Sequence, residues 1–147
     1  MNKVTWIILA LTAGAFLPIQ AGINAKLGKA AQSAVFASLT SFVVGMLGLV
    51  LYMLLTRENV SISGLKTAPA YAWLGGLLGA FYVTVIVLAF PKLGPGLTFG
   101  LVVAGQMIFS VLLEHNQILV AERNPLTLLK LLGVAMIIAG VIIVRKF

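Results

Sequence analysis

Gln106, Ser110 and Glu114 recur at four-residue steps inside an otherwise apolar run, and His115 follows the last of them. On a helix this spacing keeps the three side chains within roughly 80° of arc, so they share a face. A carboxylate beside an imidazole offers proton exchange, and ionisable groups in a membrane helix are functional candidates by default. The competing reading puts Glu114 at the end of its helix, where water is close and carrying charge costs little. Gln20 and Asn24 form a second polar pair, four residues apart and again on one face. Two amides there either meet a polar substrate or bond to a neighbouring helix, where such a bond is worth about 0.6–2 kcal/mol. Pro18 lies just before them and frees the carbonyl of Gly14 from its intrahelical bond. In lipid a freed carbonyl must find a partner or line a wet cavity.

Other polar groups at membrane depth are sparse. Ser38, Ser41, Gly45, Gly48 and Tyr52 recur at steps of three and four and form one narrow stripe. Such a stripe favours close helix packing, with Ser38 or Ser41 as a lining option for a cavity. Tyr82 lies mid-run, where its hydroxyl needs a cavity or a helix carbonyl as partner. Tyr71 and Trp73 sit at the depth of an aromatic belt, and Trp73 and Tyr82 are wall candidates for a cavity. No Gly-rich phosphate loop, His-x-x-x-His pair or serine–histidine–acid set is present, and His115 is the single histidine. The chain has no cysteine, so thiolate metal sites and disulfides are excluded. No metal site or cofactor is expected.

The elements that must hold these residues are set by composition. The chain is 61% hydrophobic and 9% charged, against about 25% charged in soluble domains. Spans are expected over about 4–25, 33–56, 69–91, 95–114 and 126–144, within a single membrane domain over 1–147. Helices of about 20 apolar residues cross a hydrocarbon core of about 30 Å. The last span is expected to start near Pro125, with Lys130 snorkelling outward from its second turn. Met1-Asn2-Lys3 before an apolar run is like a signal peptide. The run is too long for one and carries Gln20 and Asn24 near its end, so it reads as a first transmembrane helix. Leu93-Gly94-Pro95-Gly96 reads as a tight corner. The net charge of +7 is scattered over short segments without a basic face or aromatic platform, which argues for interfacial anchors and against nucleic acid.

Five spans divide the basic residues evenly. Lys3, Arg57, Lys66, Arg123 and Lys130 fall on one side, and Lys26, Lys29, Lys92, Arg145 and Lys146 on the other. Basic residues in short loops set orientation, so this balance predicts insertion both ways and an antiparallel, dual-topology homodimer. No internal repeat is visible, whereas many transporters enclose their site between repeats. A second copy would supply the missing half.

The string from Pro18-Ile19-Gln20-Ala21-Gly22-Ile23-Asn24 to Gly28, together with Gly105-Gln106-Met107-Ile108-Phe109-Ser110 and Glu114-His115, resembles the YdcZ-like inner-membrane proteins. These are a five-helix branch of the drug/metabolite transporter superfamily. Trp73-Leu74-Gly75-Gly76 and Pro91-Lys92-Leu93-Gly94 also fit, and the resemblance covers essentially the whole chain. The family typically has Asp-His at the end of helix four, followed by an aromatic residue and a glycine. This chain has Glu114-His115-Asn116-Gln117 and departs in that turn. The resemblance implies an all-α, multi-pass protein of the bacterial inner membrane, paired antiparallel with its own copy around a small-molecule substrate. The related small multidrug resistance proteins use a central Glu in helix one. No acid stands in the first span here, so their exchange mechanism does not transfer unchanged.

The expected function is therefore secondary transport of a small polar or amphipathic metabolite or drug by alternating access, with proton coupling as an option. Gln20, Asn24, Gln106 and Ser41 would bind substrate, and Glu114 and His115 would carry the proton linkage. The alternative is a non-transporting structural or regulatory membrane subunit, in which the amides are satisfied by helix carbonyls. A membrane-embedded enzyme would need a convergent catalytic set, to which only Glu114 and His115 come close.

Overall fold

The computed structural model describes residues 2–146, and every regular element among them is helical. Helix α1 spans Lys3–Ala30. Its start is fixed by Asn2, whose Oδ1 accepts from the Thr5 amide at 2.9 Å and the Thr5 hydroxyl at 2.7 Å. The helix continues through Pro18 and past residue 25, so Lys26 and Lys29 ride on its last turns instead of in a loop. Positive charge there also suits the negative end of the helix dipole. Gln32 then turns left-handed (φ 53°), and the Ser33 amide donates to the Gly28 carbonyl at 2.9 Å. These bonds satisfy the last carbonyls of α1. Ser33 at once caps α2, Ala34–Thr56, by accepting from the Phe36 amide at 3.1 Å. Only residues 31–33 separate the two helices, which fixes the register of the hairpin.

Helix α2 ends the same way, with Arg57 left-handed and the Glu58 amide on the Met53 carbonyl at 3.2 Å. A short helix α3 (Ile62–Thr67) and a 3-10 turn (Ala70–Leu74) lead into α4, Gly75–Asn116. The 42 residues of α4 are about twice the number that one crossing of a hydrocarbon core requires. The helix is broken at Gly94, which holds φ 76° and ψ 164°. That conformation is open essentially to glycine alone, and Pro95 disfavours a helical residue before it. The expected Leu93–Gly96 corner is thus narrowed to Gly94 alone, because Leu93, Pro95 and Gly96 belong to the helix. Buried Thr98 donates its hydroxyl to the Gly94 carbonyl at 2.7 Å. Helix α5 covers Leu128–Lys146 and begins two residues later than the expected span 126–144. Four helices among the described residues are long and apolar enough to cross a membrane, counting the turn and α4 as one.

By its contacts the chain forms two compact units, one up to Pro91 and one from Lys92 on. In the first, α1, α2 and the first arm of α4 meet at small residues. A Cβ on Gly28 would stand 3.3 Å from Val87 Cγ1 and 3.5 Å from Ala37 Cβ. Ala37 has no exposed surface. Phe42 of α2 lies over Gly79 in the same way, at 3.3 Å. The small stripe of α2 is engaged only at its start. Ser38 is buried, whereas Gly45 and Gly48 face open space and Tyr52 is exposed. In the second unit, Val141 lies 3.0 Å from where a Gly100 Cβ would stand, and Val144 lies 3.3 Å from that of Gly96. The close approach therefore uses glycines of α4 and valines of α5. Gly133 and Gly140 of α5 face open space.

Candidate functional site

Helices α1 and α2 bring Gln20, Asn24 and Ser41 together. Asn24 is buried (6% exposed), and its Nδ2 donates to Ser41 Oγ at 3.2 Å. The bond spans 17 residues of sequence and depends on the tight 31–33 corner. Gln20 stands one turn earlier on the same face of α1 and is exposed. Its amide has no hydrogen-bond partner among the described residues. Pro18 lies half-buried two residues before it, where the proline ring leaves the Gly14 carbonyl without its usual donor.

Two adjoining grooves open at these residues. One, of about 430 Å³, runs along α1 from Phe16 to Leu27 and takes Thr40, Ser41 and Val44 from α2. The other, of about 390 Å³, follows α2 from Ser41 to Met53. Gln20 and Ser41 line both. Volumes of this size suit small-molecule ligands, as does an apolar wall with a few polar groups. Thr40 enters the first groove unforeseen, although its hydroxyl is engaged by the Phe36 carbonyl at 2.9 Å. The apolar lining was legible: Phe16, Ile19, Ile23 and Leu27 lie at helical spacings around Gln20 and Asn24.

Other sequence-predicted residues lie elsewhere. Neither Trp73 nor Tyr82 lines these grooves. Trp73 is 65% exposed. The Tyr82 hydroxyl is buried and has no hydrogen-bond partner among the described residues. Gln106 and Ser110 sit on the second arm of α4, both exposed.

Glu114 and His115 belong to a clamp at the end of α4. Lys130 Nζ donates to Glu114 Oε2 at 3.0 Å and to the Asn124 carbonyl at 3.1 Å. Lys130 is thus drawn to the carboxylate from the first turn of α5, where outward snorkelling was expected from the second. His115 Nδ1 accepts the Leu126 amide at 3.1 Å, so the neutral ring carries its proton on Nε2. Arg123 Nε caps the His115 carbonyl at 2.9 Å. The two side chains are therefore bound to different partners instead of to each other.

A scan against protein families matches residues 5–143 to the family described as "Putative inner membrane exporter, YdcZ". No curated protein and no solved structure matches the chain. That family and the long apolar helices fit a membrane transporter. Matched over nearly its whole length, the chain belongs to the YdcZ inner-membrane exporter family and is a multi-pass protein of the inner membrane.

Proposed function

We propose that this chain is a secondary transporter that moves a small polar or amphipathic molecule by alternating access, working as a pair of oppositely oriented copies. The observation that carries the reading is the groove where Gln20, Asn24 and Ser41 converge, with the Gln20 amide unsatisfied. A polar amide at membrane depth needs a partner, and a substrate supplies one. The break at Gly94 divides α4 into two arms, each long enough for one crossing, which gives five crossings in all. Gln106 and Ser110 are exposed on an apolar helix, and a second copy would cover them. Trp73 and Tyr82 would act as walls in that pair. Proton linkage through Glu114 requires Lys130 to release the carboxylate during the cycle.

Flux across proteoliposomes tests this. Uptake of a compound panel, with and without an imposed pH gradient, should show at least one transported compound. Gln20→Ala and Asn24→Ala should each lower that flux about tenfold or more while the protein stays folded. Glu114→Gln should remove any dependence on the pH gradient. Wild-type-like flux in both amide variants would remove the groove from the substrate path. No flux of any compound would favour the non-transporting subunit, in which Asn24 and Ser41 serve only to join α1 to α2.

A further inference from the structure

We propose that the loop joining α4 to α5 is a pH-responsive latch, closed by the neutral His115 ring and opened when that ring takes up a proton. Such a latch works whether or not the chain transports. Three bonds hold Asn124 and Leu126 of this loop in place. The Asn124 amide donates to the Glu114 carbonyl at 3.1 Å, and the Asn124 carbonyl accepts from Lys130 Nζ at 3.1 Å. Pro125 has no amide to give. The next donor along the chain is the Leu126 amide, which goes to His115 Nδ1 at 3.1 Å. Of these three acceptors, only the ring nitrogen binds a proton near neutral pH.

An imidazole nitrogen accepts through one lone pair, and a proton needs the same pair. Protonation at Nδ1 therefore sets two N–H groups against each other and leaves the Leu126 amide without its partner. The charges at this end of the protein add to the effect. Arg123 in the loop and Lys130 on α5 are both cations, and Arg123 Nε already bonds the His115 carbonyl at 2.9 Å. Of the acids, Glu114 on α4 holds Lys130 at 3.0 Å, and Glu122 precedes Arg123 in the loop. An imidazolium brings a third positive charge to a cluster in which the Glu114 carboxylate is already engaged. Lys130 stays on Glu114 through the change, so α5 remains tethered by its first turn while the Leu126 end of the loop is released. The response is to pH itself and needs no gradient across the membrane.

The test uses the full-length protein in phosphatidylcholine nanodiscs, taken from about pH 8 to about pH 5, the interval in which histidine side chains change charge. His115 is the single histidine, so nitrogen NMR of isotope-labelled histidine reads its ring without ambiguity. At the upper pH the proton should sit on Nε2 with Nδ1 bare, and at the lower pH both nitrogens should carry protons. Hydrogen exchange at residue resolution, corrected for the intrinsic pH dependence of exchange, reads the loop. Protection of the Leu126 amide should fall at least about fivefold as the ring titrates, as loss of one hydrogen bond allows. The Ile118 amide, which donates to the Leu113 carbonyl at 2.9 Å, should keep its protection. His115→Asn retains an acceptor that does not titrate and should keep Leu126 protected throughout. His115→Leu retains none and should leave Leu126 unprotected throughout, with unchanged Ile118 protection showing that α4 is intact.

A ring that titrates while Leu126 protection stays constant overturns the latch. So does a neutral ring with its proton on Nδ1, or a ring that stays neutral over the whole interval. Wild-type protection of Leu126 in His115→Leu overturns it too, because other bonds would then be holding the loop. Failure of the transporter reading looks different. There no compound crosses the proteoliposome membrane, yet Leu126 exchange still follows the His115 ring. Conversely, constant Leu126 protection removes the latch and leaves transport through the groove standing.

Discussion

Asn24 is a buried polar side chain, and its bond to Ser41 joins α1 to α2 beyond apolar contact. Interhelical bonds of this kind average about 0.6 kcal/mol and reach about 1.7 kcal/mol. A double-mutant cycle of Asn24→Ala and Ser41→Ala, followed by unfolding in mixed micelles, should therefore give a coupling energy of about 0.5–1.5 kcal/mol. Purely additive losses would mean that the two groups do not bond. The Glu114–Lys130 pair is a weaker contributor, because both side chains keep contact with solvent and exposed pairs contribute about 0–1 kcal/mol. It holds the end of α4 against the start of α5, and its removal should be felt in the geometry of that loop more than in stability.

At the scale of helices, glycine placement decides which faces approach. Gly100 has Val141 methyl groups at 3.0 and 3.2 Å from where its Cβ would stand, and a β-branched valine has little freedom to move aside. Gly100→Ala should cost about 1–3 kcal/mol through overpacking, read as a lower melting temperature. Val141→Ala in the same chain should restore much of the loss, because it removes the clashing methyls. Gly140→Ala should have little effect, since nothing lies within 4 Å. This contrast also shows what the sequence could and could not tell. Uncharged runs located the helices, because a charge inside lipid is costly wherever it falls. The four-residue step placed Gln20 and Asn24 on one face, because that is a local property of a helix. Small-residue patterns did not reveal which helix receives them. The spacing favoured the stripe that includes Gly45 and Gly48, yet those two face open space and Gly28, Gly96 and Gly100 make close contacts. The Asn24–Ser41 bond and the Lys130–Glu114 pair were equally hidden. They join residues 17 and 16 apart, whose register is set by the intervening corner and loop.

For the whole molecule, orientation follows from the few basic residues in its short loops. In the proposed five-crossing arrangement the ten would divide five against five, and the Glu114 carboxylate pairs with Lys130 at 3.0 Å. On that arrangement the effective balance becomes four against five, which predicts insertion in both directions. The chain carries no cysteine, so a single introduced thiol reports the side on which it lies. Asn59→Cys and Ala31→Cys leave every charge in place and mark opposite sides of the five-crossing arrangement. With a membrane-impermeant maleimide applied to intact cells, each should be labelled in a substantial fraction of molecules, and neither completely. Glu114→Gln frees the charge of Lys130 and should draw the side bearing Asn59 toward the cytoplasm, lowering labelling at Asn59→Cys and raising it at Ala31→Cys. Complete labelling at one position with none at the other would establish a single orientation. The pair of copies would then have to be parallel, and the exposed Gln106 and Ser110 would need a different cover.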